Sequence, residues 1–357
     1  MSKYDPFKRG PDPVGTQQFS WTDSNRNHTM PVDVWYPATE AHKGQDLDPK
    51  TQAGFEMIPG AGLSYQQAVE NAAPKKDRFP LVVFSHGFGG ERRQSTFFCT
   101  HLASHGYVVA SMDHVGNTTT DMLSGEGAAG DPEVIDRFIK SRPLDASFVI
   151  DEMLRGQSGL EVDAESVAMA GHSFGGWTTL KTLESDGRIK AALPLAPAGG
   201  KLDLDPENVM ATSLNFQFKR SVPTLFIVAD LDSILPLEGM RDLHSRHPGP
   251  HSTVVLQNAD HFHFNDNIEQ THDGYQMMLA GMAEGMEAES RHGLEEMLAK
   301  MKPSSELVPG AHAYRLINGL GLAHFDAELR GDPDATSMMR GDLVEIAGKQ
   351  GIQVELL

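Results

Sequence analysis

The chain has 357 residues, of which 39% are hydrophobic and 22% are charged, as is usual for a globular enzyme. This length suits one large domain, and we expect a single α/β domain over residues 1–357. The 30 Lys and Arg residues are outnumbered by 49 Asp and Glu residues, so the net charge is −19. Because so acidic a surface repels phosphate groups, nucleic acid is excluded as an expected partner.

Cysteine usage and hydropathy predict the compartment. The lone Cys99 cannot form a disulfide within the chain or a multi-cysteine zinc site, and its apolar neighbours predict a buried helical position. The first residues, MSKYDPFKRGPDPVG, lack the apolar core of a secretory signal, and no later stretch reaches the ~18 apolar residues of a membrane span. We therefore expect a cytoplasmic protein with no membrane span.

Short apolar runs alternate with segments of helical spacing. The predicted strands are residues 32–36, 81–84, 107–112, 167–170, 191–195, 224–228 and 253–256. The predicted helices between them are residues 92–104, 144–154, 175–183 and 237–244. This alternation predicts a mostly parallel sheet with helices on both faces, whose ligands bind at the carboxyl ends of the strands.

Other stretches interrupt or follow this alternation. Residues 117–142 are rich in Thr, Gly and Asp, and residues 199–221 are irregular. Residues 276–301 place Met and Leu at helical spacing, which suits a helix that packs on the domain or, alternatively, an adaptable lid over an apolar substrate. We favour packing. Residues 314–330 predict a closing helix whose inward side chains are Leu316, Leu320 and Phe325.

The strongest motif is GHSFGG at residues 171–176. It follows the apolar run 167–170 and precedes a helical pattern, so GxSxG stands between a strand and a helix. The central Ser173 is then a nucleophile on a sharp turn, and glycines let strand and helix approach closely. The helix behind it points its backbone N–H groups toward negative charge that develops on a substrate.

A glycine-rich loop, SHGFGG at residues 85–90, follows the strand 81–84. Such a loop donates the second backbone N–H to the oxyanion in α/β-hydrolases, so we assign the two donors to the amides of Phe88 and Phe174. His86 and His172 adjoin these motifs, and we interpret both as structural histidines that brace loops.

The acid and the base are expected downstream, because this fold orders its triad as serine, acid and histidine. The strand 224–228 leads to two aspartates, of which Asp232 is preferred as the acid because Asp230 can fix the turn. The strand 253–256 leads to His261, the preferred base, with His263 as the alternative. A Ser–His–Asp mechanism needs no metal or cofactor, and no metal or nucleotide motif is present in the sequence.

With these residues placed, the chain resembles the α/β-hydrolase families of platelet-activating-factor acetylhydrolases, dienelactone-hydrolase-like proteins and cutinase-type polyesterases. The matching stretches are VDVWYPA (32–38), PLVVFSHGFGG (80–90), HLASHGYVVASMDHVGN (101–117), GHSFGG (171–176), VADLDSILP (228–236) and ADHFHF (259–264). The segment 318–332 is similar to the last helix of dienelactone-hydrolase-like proteins. The resemblance to the polyesterases implies the acid at Asp232 and the base at His261.

We therefore expect a serine carboxylic ester hydrolase that forms an acyl-serine intermediate on short-acyl or small aromatic or aliphatic esters. Insertions at about 117–142 and 266–312 are expected to flank its active site. The alternatives are hydrolysis of amides, thioesters or polyesters, because the triad is shared and the pocket selects the substrate. A non-catalytic binding protein of the same fold is disfavoured by the intact Ser173, Asp232 and His261.

Overall fold

A central sheet organises the part of the chain that the computed structural model describes, residues 4–57, 60, 62–125, 132–203, 205, 208–286 and 288–357, with the backbone alone for 288–290. In chain order its strands and those of a small hairpin are β1 Val14–Asp23, β2 His28–Pro37, β3 Gly54–Phe55, β4 Ser64–Tyr65, β5 Val69–Glu70, β6 Phe79–Ser85, β7 Val108–Met112, β8 Val162–His172, β9 Ile189–Leu195, β10 Thr224–Ala229, β11 His251–Leu256 and β12 Val354–Leu356. Only β3 and β4 lie outside the ten-stranded sheet among the described strands.

Helices connect these strands and cover the sheet. They are α1 Thr96–Ser104, α2 Thr119–Ser124, α3 Pro132–Leu154, α4 Phe174–Ser185, α5 Val209–Ser213, α6 Leu237–Arg246, α7 Ile268–Glu284, α8 Ala288–Lys300, α9 Gly310–Leu329, α10 Pro333–Met339 and α11 Leu343–Lys349. Short 3-10 turns occur at Glu40–His42, His261–Phe264 and Ser304–Glu306. The second of these turns contains both histidines considered as the base.

The sheet has the order β12-β11-β10-β9-β8-β6-β7-β2-β1-β5. Six neighbouring strands of this sheet are parallel to one another: β11, β10, β9, β8, β6 and β7. At one edge β2 and β1 are antiparallel additions, and at the other β12 runs antiparallel to β11. The predicted fold class, a mostly parallel sheet between helices, is confirmed.

Two apolar layers hold the helices on the sheet. Along β6, Val82 and Phe84 face one layer whereas Leu81 and Val83 face the other, because side chains alternate along a strand. Helices α1, α9 and α11 pack in the first layer, and α3, α4 and α6 cover the opposite face. The parallel strands are thus buried on both faces, which explains their nearly continuous apolar sequences.

The predicted strands and helices are all present. The structure also contains strands near the edges of the sheet that the apolar pattern did not indicate. Strand β1 has exposed residues alternating with partly buried ones in its middle and so lacks an apolar run. The closing helix is α9, and Leu316, Leu320 and Phe325 are fully buried as predicted. It is followed by α10, α11 and β12, so it does not end the fold.

The methionine-rich segment forms the helix pair α7 and α8. Leu279 and Met301 are buried, whereas Met282 is 53% exposed and Met297 is half-buried. Part of the predicted stripe therefore packs on the domain and part faces solvent. Cys99 is buried on α1 as predicted, and burial raises the pKa of its thiol well above its ordinary value.

No helix in the described part of the chain has both the length and the apolar character that crossing a membrane requires.

A buried histidine on α9 makes the stability of the fold depend on pH. The Nε2 atom of His324 donates to the carbonyl oxygen of Ala192 at 3.1 Å, and burial lowers the pKa of His324 to about 4. Between about pH 6.5 and 4 the unfolded chain therefore binds a proton that the folded chain does not. The stabilisation from neutral His324 is present above about pH 6.5 and is lost as the pH falls, by up to about 1.4 kcal/mol per pH unit.

We predict that His324→Gln reduces the loss of stability that the protein undergoes as the pH falls. The measurement is urea unfolding of both proteins from about pH 7.5 to about pH 5, where the wild type should lose more free energy of unfolding than the variant. His292→Gln is the control, because the side chain of His292 is 78% exposed on α8. Parallel pH dependence of His324→Gln and the wild type would contradict the prediction.

Candidate active site

Ser173 lies on a strained turn between β8 and α4. Its φ of 58° and ψ of −117° are unusual for a residue with a side chain. The turn is held by backbone hydrogen bonds, because the N–H of Ser173 donates to the oxygen of Leu195 at 2.9 Å and its carbonyl accepts from Ala198 at 3.0 Å. The neighbouring strand β9 thus fixes the serine at the carboxyl end of β8.

The glycines of GHSFGG are required by close backbone contacts. A Cβ atom on Gly175 would overlap the carbonyl oxygen of Ser85, at the end of β6. A Cβ atom on Gly171 would lie 2.7 Å from the same oxygen, and one on Gly176 would lie 2.8 Å from the Cα atom of Pro197. The turn therefore packs directly against the start of the glycine-rich loop, as the motif predicts.

Asp232 and His261 form a buried hydrogen-bonded pair beyond the ends of β10 and β11. The Nδ1 atom of His261 lies 2.7 Å from Oδ2 of Asp232. The other carboxylate oxygen accepts from the N–H groups of Ile234 at 3.0 Å and Leu235 at 2.6 Å, which fixes its orientation. Within the described residues the Nε2 atom of His261 has no hydrogen-bond partner, so it is free to accept a proton.

Asp230 and His263, the alternatives to the acid and the base, make other contacts. Oδ1 of Asp230 accepts from the N–H of Ala259 at 3.1 Å, a turn-fixing contact of the kind expected for it. His263 uses Nε2 to donate to the carbonyl oxygen of Val308 at 2.9 Å, and its Nδ1 accepts from the N–H of Asp260 at 3.0 Å. Both ring nitrogens of His263 are therefore occupied by the backbone.

Asp260, which the sequence analysis did not single out, joins the loops that carry the acid and the base. Its Oδ1 atom accepts from the N–H of Ser233 at 2.8 Å, from the hydroxyl of Ser233 at 2.9 Å and from the N–H of His261 at 2.6 Å. Asp260 is 1% exposed, so these bonds are shielded from water. This carboxylate holds the position of the His261 backbone relative to the loop of Asp232.

Phe88 and Phe174, the expected oxyanion donors, lie on opposing segments. Their rings stack with centroids 6.2 Å apart, and a Cβ atom on Gly87 would lie 3.4 Å from Cβ of Ser173. Among the described residues, neither backbone N–H donates a hydrogen bond to a protein group. Both amides thus remain available near the serine, as an oxyanion site requires.

His86 and His172 use both of their ring nitrogens in the protein. His86 donates from Nδ1 to the carbonyl oxygen of Gly87 at 2.7 Å and accepts at Nε2 from the N–H of His114 at 3.0 Å. Nε2 of His172 donates to the carbonyl oxygen of His261 at 3.0 Å. Burial lowers the pKa of both imidazoles well below 6.5. They are neutral bracing groups in this geometry.

A second Ser–His–Asp row begins at Ser85, the first residue of the glycine-rich loop, and no sequence motif predicted it. The hydroxyl of Ser85 lies 2.9 Å from Nε2 of His114, whose Nδ1 lies 2.9 Å from Oδ2 of Asp145. All three are nearly inaccessible, with exposures of 0, 1 and 1%. Arg26 donates to the remaining oxygen of Asp145 at 2.6 Å. Because no substrate reaches Ser85, this row is an internal brace.

Arg142 is a buried cation behind the same loop, and sequence reasoning also missed it. Its guanidinium lies 4.4 Å from the ring centroid of Phe174 and donates to the carbonyl oxygen of His86. It also donates to the side-chain oxygen of Asn117 at 2.9 Å. Burial lowers the pKa of Arg142 to about 9, which leaves it charged at neutral pH. The cation thus connects the loop to the first residue of α4.

Two segments border this region. On one side Thr119 of α2 donates from its hydroxyl to the carbonyl oxygen of Gly89 at 2.7 Å. On the other side Tyr275 of α7 packs on Phe262, with ring centroids 4.8 Å apart. Residues 126–131 of the predicted first insertion and residue 287 of the second lie outside the described residues. Residues 132–142 belong to the long helix α3.

A separate cavity of about 550 Å³ lies between the β1–β2 turn and α3. Its lining includes Asp23, Arg26 and Phe148 but none of the predicted site residues. The candidate site is therefore defined by its side-chain geometry and not by this cavity.

Comparisons with known proteins show what the chain is similar to. Residues 20–133 match the family model described as platelet-activating factor acetylhydrolase, isoform II. Cutinase 2 of Thermobifida cellulosilytica is 29% identical over 213 residues, which cover 58% of this chain and 67% of that protein. Platelet-activating factor acetylhydrolase of Cavia porcellus is 28% identical over 214 residues, which cover 48% of each chain. The chain spans about half to two thirds of the length of the curated relatives it matches.

A solved structure shows the same fold. The ferulic acid esterase from Streptomyces cinnamoneus aligns with a TM-score of 0.67 and 23% identity over 97% of both chains. The predicted resemblance to α/β-hydrolases is thereby confirmed, and the relatives are of the predicted enzyme class. The chain therefore has the fold of an α/β-hydrolase, and the proteins that it matches are named as cutinases, platelet-activating factor acetylhydrolases and a ferulic acid esterase.

Proposed function

We propose that the protein hydrolyses carboxylic esters through an acyl-serine intermediate on Ser173, with His261 as general base and Asp232 as the carboxylate that orients it. The observation that carries this proposal is the 2.7 Å bond between Asp232 and His261, beyond the same sheet edge that presents Ser173 on its strained turn. These residues come from different strand ends, as ligand-binding residues of parallel sheets commonly do.

The chemistry follows from these positions. The hydroxyl oxygen of Ser173 attacks the ester carbonyl carbon while Nε2 of His261 takes its proton. The amides of Phe88 and Phe174 stabilise the resulting oxyanion. When the tetrahedral intermediate collapses, the carbon–oxygen bond to the alcohol breaks and His261 returns the proton to the leaving oxygen. Water then attacks the acyl-serine with the same assistance, which releases the acid and restores the serine.

The proposed substrates are small-molecule esters with short acyl groups or small aromatic or aliphatic parts. Aromatic side chains support this choice, because Phe88 stacks on Phe174 and packs edge-on against Phe138 at 6.2 Å. Phe88 is the half-buried member of this cluster, so it is the ring that can offer an apolar face to a bound ester. The acidic net charge of −19 disfavours polyanionic partners such as nucleic acid.

The proposal also includes the domain organisation and the cellular location of the protein. The ten-stranded sheet includes residues from Val14 to Leu356, which supports one domain with insertions at about 117–142 and 266–312. A cytoplasmic location is supported by the single cysteine, because proteins of reducing compartments rarely depend on disulfides. Fractionation of cells that produce the protein tests this location.

The first test is hydrolysis of p-nitrophenyl esters from acetate to laurate by the wild type and Ser173→Ala. We expect the wild type to hydrolyse the short esters fastest and the variant to show only background release. Equal activity of both proteins would exclude Ser173 as the nucleophile. Activity on an amide or a thioester but on no ester would replace the proposed reaction by one of the alternatives.

A second test separates the two Ser–His–Asp arrangements. A fluorophosphonate probe should modify Ser173 and leave Ser85 intact, because Ser85 is fully buried within β6. Mass spectrometry of the labelled peptides identifies the site, and Ser85→Ala should still be labelled. Modification of Ser85 would contradict the assignment, and no labelling of the folded wild type would favour a binding protein.

A third test compares the two aspartates after β10. Asp232→Asn should lower kcat by about 10⁴, since the amide cannot hold His261 in the required tautomer. Asp230→Asn is the matched control and should keep most activity, because an asparagine oxygen can still accept from the N–H of Ala259. Steady-state kinetics on p-nitrophenyl acetate decide between them. A large loss in Asp230→Asn together with an active Asp232→Asn would reverse the assignment.

A further inference from the structure

Gln94 lies between the glycine-rich loop and the turn of Ser173, and it takes no part in the proposed proton transfers or in binding the oxyanion. It precedes α1, four residues after Gly90, and is 5% exposed. A Cβ atom on Gly90 would overlap its side-chain oxygen. The glycine therefore leaves room for the amide of Gln94 inside the loop.

The two ends of this amide bind two different segments. Its Oε1 atom accepts from the N–H of Gly87 at 2.9 Å, and its Nε2 atom lies 2.9 Å from Nδ1 of His172. Because Nε2 of His172 donates to the carbonyl oxygen of His261 at 3.0 Å, Nδ1 of this neutral ring is an acceptor. Donor and acceptor thus alternate from Gly87 through Gln94 and His172 to His261.

This row connects all three parts of the proposed machinery. Gly87 precedes the donor Phe88, His172 precedes the nucleophile Ser173, and His261 is the base. The backbone of Gln94 adds a further link, because its carbonyl oxygen accepts from the N–H of Asp266 at 2.7 Å, beyond the turn of His261. A displacement of the side-chain amide of Gln94 therefore changes the distances between the oxyanion donor, the nucleophile and the base together.

We propose that Gln94 is a positioning residue that sets the oxyanion site and His261 relative to Ser173 through the hydrogen-bonded row Gly87–Gln94–His172–His261. The inference rests on the proposed function and deepens it. Gln94 touches no reacting atom in this scheme, so its removal weakens transition-state binding through geometry. Because a misplacement of about 1 Å can lower a rate by about 10²-fold, we expect a loss between about 10-fold and 100-fold.

An amide is required at this position. Methionine has a similar length but offers neither the acceptor for Gly87 nor the donor for His172. Ionised glutamate keeps the acceptor for Gly87, but it has no hydrogen to donate to Nδ1 of neutral His172. Gln94→Met thus breaks both links of the row, and Gln94→Glu breaks the link to His172.

The test compares Gln94→Met with the wild type by kcat, KM and the affinity for phenylboronic acid, which mimics the tetrahedral intermediate when it binds the serine. We expect kcat and boronic acid affinity to fall by the same factor, about 10-fold to 100-fold, while KM changes by less than about twofold. A general loss of stability would not produce this equality.

Gln66→Met is the matched control. Gln66 is 2% exposed and its side-chain oxygen accepts from the indole N–H of Trp35 at 2.5 Å, so this substitution removes a comparable buried hydrogen bond. It should leave both kcat and boronic acid affinity unchanged. If Gln94→Met does not fold, Gln94→Glu takes its place with the same expected direction.

The outcomes separate the two proposals. Wild-type kcat and boronic acid affinity in the folded Gln94 variant would overturn the positioning role and leave the esterase proposal intact, as would a change in KM alone. If the wild type hydrolyses no ester, the proposed function fails. The fluorophosphonate labelling rate of Ser173 then tests Gln94, and equal rates in wild type and Gln94→Met would overturn its role.

Discussion

The contact between the end of β6 and the start of α4 is the constraint on which the rest of the site depends. The carbonyl oxygen of Ser85 occupies space that any side chain at Gly175 would need. This contact brings the glycine-rich loop against the turn of Ser173 through backbone atoms alone. The placement of both expected oxyanion amides follows from it, because each lies within three residues of the contact on its own segment.

The charged groups behind this contact are buried and each has at least one partner, although Nε of Arg142 and the side-chain nitrogen of Asn117 are buried without a hydrogen bond among the described residues. Arg142 meets an aromatic face and two oxygens, whereas Asp145 meets His114 and Arg26. Removing water from a charge is unfavourable unless partners replace it. Here the partners of these two α3 side chains come from the glycine-rich loop, α4, the segment that follows β7 and the β1–β2 turn. The outer strands thus contribute to the site although they carry none of its reacting groups.

The features that could be predicted from the sequence are those that depend on residues close together in the chain. The GHSFGG motif, the strand ends at Asp232 and His261, and the apolar strands depend on neighbouring residues, so their pattern is visible in the chain. Strand β1 was missed because it pairs at a solvated edge and lacks an apolar run. Gln94 was missed because its partner His172 is 78 residues away, and only the strand order brings them together.

The row Ser85–His114–Asp145 has the same kinds of atoms at similar spacing as a catalytic triad, yet its serine belongs to a strand paired on both sides, with Met112 and Gly171 as neighbours. A search of structures by side-chain geometry alone would retrieve this row as readily as Ser173 with its partners. What distinguishes a nucleophile in this fold is therefore the backbone around it. A serine in a regular ladder has no free amides beside it and no path to solvent, so it acts as an ordinary hydrogen-bonding hydroxyl.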